Sequence, residues 1–145
     1  MTEAATALGL YDQMRKEVPR TKIAFLVSRE HPDLDEKTVN DRIDALLQWL
    51  ATIPVARAQR KGLQMVESID VVWHAFILHT KEYGAFCQKF FGRFIHHMPP
   101  DEFDSDRMED ASYTLATIRS QFGQQTHPEL EVLATGLVKC CGRHD

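Results

Sequence analysis

Along most of the chain, apolar residues recur at three- and four-residue spacing, the period of helices that each bury one face. Leu8, Tyr11, Met14 and Val18 share one face of a first helix, which Pro19 stops because its ring cannot continue the turn. The apolar run 23–27 is too short for its pattern to separate strand from helix, and its helical neighbours favour helix. Pro32 and Asp33 open the next element, with Asp33 as N-cap and Glu36 in the capping-box position. Val39, Ile43, Leu46, Leu47 and Leu50 form its stripe, and Pro54 is expected to end it.

A loop carrying Arg57, Arg60, Lys61 and Gly62 follows, its basic residues read as a solvated face. Ser68 is a candidate cap for a helix bearing Val72, Trp73, Phe76 and Ile77, and Thr80 for a further helix over 81–91 that Gly92 ends. Beyond Pro99, Pro100 and the acids Asp101, Glu102, Asp104 and Asp106, a helix lined by Ala111, Leu115, Ile118 and Phe122 runs to Gly123. Thr126 and Glu129 suggest another capping box, before a last helix with Leu130, Leu133, Ala134 and Leu137. The pattern predicts one all-α domain over 1–145, a compact bundle of about six helices with Trp73, Phe76, Ile77, Phe86 and Phe90 in its core.

Composition narrows the function classes. At 145 residues the chain can bury roughly two-thirds of its unfolded surface and needs no disulfide or metal merely to fold. No apolar run reaches the length of about 18 residues that would suggest a membrane span. The net charge of −4 argues against a general nucleic-acid or anionic-membrane binder and leaves a protein partner as the expected contact. An acidic start without a signal pattern, and three cysteines that form no framework, lead us to expect a reducing cytoplasm. The tail, with Cys140, Cys141 and His144, lacks a defined four-ligand spacing and reads as a disordered terminus.

The informative block is 69–99, which holds four of the seven histidines, Cys87, and six of the eleven Phe and Tyr residues. An imidazole or thiol set among so many aromatics needs a partner for its polar atoms, either a hydrogen bond or a metal. Asp70 and His74, four apart on a helix, project within about 40° of each other. His79 lies about 140° round from His74, so the two share an ion only if the helix breaks between them. Paired or kinked helices would bring Asp70, His74, Cys87 and one of His96 or His97 together. Such a donor mix suits zinc, with iron or another transition metal behind it. Each residue also has an ordinary structural role: Asp70 at a helix N-terminus, His74 hydrogen-bonded in the core, Cys87 buried and inert.

Three pieces stand out together: Asp70-x-x-Trp73-His74, Thr80-x-x-Tyr83-x-x-x-Cys87, and Phe91-Gly92 followed by Ile95-x-His97-x-Pro99. On these the block resembles the glycine-rich-domain-containing-protein-like family, with weaker agreement at Trp49-Leu50, Pro54, Ser68 and Phe122-Gly123. The resemblance implies a metal site at the shared histidines and cysteine: His74, Cys87 and His97, with Asp70 as a fourth ligand or a proton acceptor for His74. It selects His97 over His96. His79 falls where that family tolerates other residues, and Phe76 stands where plant-like members often carry a second histidine.

Three functions remain open. A closed four-ligand metal would mark a structural or sensing domain acting as a binding or interaction module. Three protein ligands with an open position would mark a metal-dependent enzyme, a hydrolase or oxidoreductase. A metal-free helical interaction module would keep the same residues as a buried hydrogen-bond network. No P-loop, dinucleotide fingerprint or Ser-His-Asp arrangement supports another enzyme class.

Overall fold

The protein, as a computed structural model, is described over residues 6–97 and 107–135. Pro99, Pro100, the acids 101–106, Leu137 and the Cys140-Cys141 tail lie outside those residues. The described chain is all-α: α1 (Ala7–Glu17), α2 (Arg20–Glu30), α3 (Glu36–Ala58), α4 (Glu67–Leu78), α5 (Thr80–Phe91) and α6 (Arg107–Phe122). Two 3-10 segments close it, Gly123–Gln125 and Pro128–Thr135. None of the described helices is long and apolar enough to cross a membrane.

α3 is the axis of the bundle. Every residue from 45 to 53 is buried, so this stretch meets neighbours all round. α1, α2, α4 and α6 all pack on it. Its N-cap is Asp35, whose carboxylate accepts from the Thr38 N–H at 2.8 Å, and not Asp33; Glu36 is then the first helical residue and forms no capping box. Pro54 does not end α3, which runs on to Ala58. The lost backbone hydrogen bond is tolerated because Ile53 and Ala56, on either side, are anchored in the core.

Other expected caps shift in the same way. Ser68 is already inside α4 and donates to the Glu129 carboxylate at 3.2 Å. The break between α4 and α5 falls at His79, with Thr80 the first residue of α5 rather than its cap. Gly92 ends α5 in the left-handed region (φ 71°), as does Gly123 after α6 (φ 56°). The last element is 3-10, and Thr126 donates to the Gly123 carbonyl instead of capping it. Trp73, Phe76 and Phe86 are buried as expected, whereas Ile77 and Phe90 are only partly so.

Two polar ties hold the 59–66 loop against the core. The Trp49 indole donates to the Gln64 carbonyl at 2.9 Å, and the Gln64 N–H donates to Thr114 Oγ1 at 2.8 Å. That loop delivers the chain to the start of α4, and so sets where Asp70 and His74 face.

Candidate metal centre

Asp70 sits in the first turn of α4 and His74 one turn later, on the same side. After Gly92 reverses the chain, the non-helical stretch 93–97 returns along α4 and brings His97 to that side. The His74 and His97 Nε2 atoms stand 3.0 Å apart. His74 Nε2 is 3.4 Å from Asp70 Oδ2, and His97 Nε2 meets Asp70 Oδ1. Among the described residues, these three form the cluster of ligand-type side chains whose donor atoms converge, all within 4.8 Å of one another.

The separations of His74 Nε2 from His97 Nε2 and from Asp70 Oδ2 suit a shared ion. Metal–nitrogen bonds of about 2.0–2.1 Å put neighbouring donors of a tetrahedral shell about 3.3–3.4 Å apart, and those of an octahedral shell about 2.9–3.0 Å. Hydrogen bonding can join all three through one N–H shared between the carboxylate and the other ring. An imidazole nitrogen has one in-plane site, a proton or a lone pair. If both rings donate to an ionised Asp70, two N–H groups face each other at 3.0 Å. If only one donates, the other ring accepts from that same N–H with its lone pair. A cation among the three instead meets a lone pair of each.

Exposure divides the cluster. The Asp70 and His97 side chains are each 13 % exposed, while that of His74 is 60 % exposed. The centre is therefore built into the surface, with two sheltered donors and one at the solvent edge.

The wall behind it is aromatic. The Trp73 ring stacks on His97 with centroids 4.4 Å apart and planes 21° from parallel, and it also meets the Trp49 ring at 5.0 Å. The Trp73 indole N–H donates to the Tyr83 hydroxyl at 3.2 Å, and that hydroxyl donates to the Ile95 carbonyl at 2.6 Å. Tyr83 is fully buried, and desolvation drives its phenol far above the usual range, with the neighbouring Cys87 adding to the rise.

Cys87 does not join the converging donors. It is fully buried behind the wall, in hydrogen-bonding contact with Tyr83 and the Ile95 backbone. Burial pushes its thiol up, which favours the neutral form over the thiolate a metal needs. The four-residue spacing of Tyr83 and Cys87 on α5 aims both inward, and that contact, invisible to a search for ligand spacing, diverts the cysteine. His79 turns its Nδ1 to the Ala75 carbonyl at 2.8 Å, finishing α4, and His96 is exposed beside Phe94. The structural role of Tyr83 is missed by sequence reasoning, although its place four residues before Cys87 in the motif was the available signal.

No curated protein and no solved structure matches this chain. One family model does, described as UCP032817-like, and it spans residues 14–130, covering every residue of the cluster and its aromatic wall. Nothing in that match links the chain to the glycine-rich-domain-containing-protein-like family expected from the motif block. By the extent of that match, the chain belongs to the UCP032817-like family.

Proposed function

We propose that Asp70, His74 and His97 bind a divalent transition metal, zinc or iron, with coordination positions left open to solvent. The observation that carries this reading is the convergence of one carboxylate and two imidazole nitrogens on a single point of the α4 surface. Two imidazoles and a carboxylate are the donors of open zinc and non-haem iron centres. A closed four-ligand site is disfavoured, because Cys87 is held elsewhere among the described residues and His74 stands at the solvent edge. Three protein ligands with open positions fit a metal-dependent enzyme better than a purely structural metal. When bound, such a metal acidifies a coordinated water or polarises a substrate oxygen. The chain's part is to fix the donors, to shelter one side with Trp73, and to leave the His74 side accessible.

The test is metal analysis of the purified protein, with zinc and iron(II) titrations of the wild type and of four His→Ala variants. Stoichiometric binding lost in His74→Ala and His97→Ala, and kept in His79→Ala and His96→Ala, is the expected result. A wild-type protein that carries no metal and takes up neither ion would overturn it.

A further inference from the structure

We infer that Tyr83 is a positioning residue for the metal centre, holding His97 in place through two groups at once. This rests on the metal reading above. His97 is not on a helix, so no intrahelical ladder fixes its backbone. Besides the isolated β-bridge at residue 97 itself, two things confine it: the face of Trp73 and the anchoring of residue 95, two positions earlier. Both lead to one atom. The Tyr83 hydroxyl oxygen accepts from the Trp73 indole, which sets the plane against which the imidazole lies, and its proton goes to the Ile95 carbonyl, which sets where the returning chain runs. Cys87 touches the same hydroxyl and the same backbone, so the thiol reinforces the clamp from behind.

The clamp suits this role because it is dry and rigid. Tyr83, Cys87 and Ile95 are fully buried and Trp73 nearly so, and water has little access to replace a lost hydrogen bond. Phe76 and Phe94 pack edge-on against the Tyr83 ring at 4.9 and 5.1 Å, fixing the phenol on both sides. Residues that orient a ligand without touching the ion commonly govern metal affinity by about 10–100-fold. Tyr83 is such a residue, acting through stacking and backbone placement rather than through a hydrogen bond to the imidazole.

The experiment is cobalt(II) and zinc titration of the full chain in four forms: wild type, Tyr83→Phe, Trp73→Phe, and Ile118→Val. Tyr83→Phe keeps the ring and removes the clamp, while Ile118→Val loosens the core in α6, an element that does not carry the centre. Affinity about 10–100-fold weaker in Tyr83→Phe, an altered cobalt absorption band, and wild-type affinity in Ile118→Val are expected. Tyr83→Phe binding as tightly as wild type, with the same band, would overturn the inference and leave the metal centre standing. Absence of binding in the wild type would instead remove the metal reading itself. Should Tyr83→Phe not fold, Trp73→Phe decides: it keeps an aromatic face toward His97 and lacks the N–H, so weakened binding supports the clamp and unchanged binding refutes it.

Discussion

Two polar clusters among the described residues, the Gln48 network in the core and the Asp70 group at the α4 surface, are built differently. In the core, around Gln48 on α3 and Thr114 on α6, side-chain donors and acceptors pair one to one. The Gln48 amide donates to the Gln125 carbonyl and accepts from the His127 N–H, both at 2.8 Å. Thr52 donates to the Gln48 carbonyl, and Thr114 accepts from Gln64 while donating to Asp110. At the α4 surface, Asp70, His74 and His97 instead bring three ligand-type groups onto one point. A matched network explains itself as structure. A convergent one is what the proposed metal centre would use.

The largest effect is expected at the surface cluster. Asp70→Ala should weaken metal binding by about a hundred-fold or more, scaling from the roughly 10–16 kcal/mol that four-ligand structural zinc sites supply. Calorimetric titration checks this. The complementary gain is thermal: zinc at about a hundred times its dissociation constant should add about 2.7 kcal/mol and raise the melting temperature by roughly 5–10 °C. A scan that does not move with added zinc or iron would place the surface cluster in the same class as the core one.

Gln48→Leu attacks the matched network. It leaves the Gln125 carbonyl and the His127 N–H without their partner, and about 1–3 kcal/mol of stability should be lost by urea denaturation. Metal affinity should not change, because none of these groups reaches the α4 centre. A parallel loss of metal would mean that the two clusters are coupled.

Alkaline pH probes the clamp between them. Burial raises both Cys87 and Tyr83 in the folded chain above their ordinary values of 9.0 and 10.0. The stability this contributes is fully present below those values. Above about pH 9 the unfolded chain releases protons that the folded chain retains, so stability falls as pH rises. Cys87→Ser should move the onset of that fall upward, toward the tyrosine range, as followed by denaturation midpoints across pH. The smallest effects belong to the two histidines outside the centre: His79→Ala and His96→Ala should each change stability by only about 0.5 kcal/mol and leave metal binding intact.

What the sequence determined by itself was whatever is local or periodic. The helical spacing gave the all-α class, and Gly92 and Gly123 marked helix ends because only a residue without Cβ enters the left-handed region cheaply. The i, i+4 spacing set Asp70 and His74 on one side of α4, since that follows from helix geometry alone. Tertiary structure decided the rest. It carried α3 through Pro54, because buried neighbours outweigh one missing hydrogen bond, and it chose Asp35 over Asp33 as the cap. Above all, it separated two residues that looked alike as ligands. His97 reached the cluster because the chain beyond Gly92 folds back onto Trp73, whereas Cys87, one turn after Tyr83, faces the dry interior beside the hydroxyl that anchors that returning chain. Donor type is written in the sequence, but convergence depends on which buried partner reaches each donor first, and that is settled only when the helices pack.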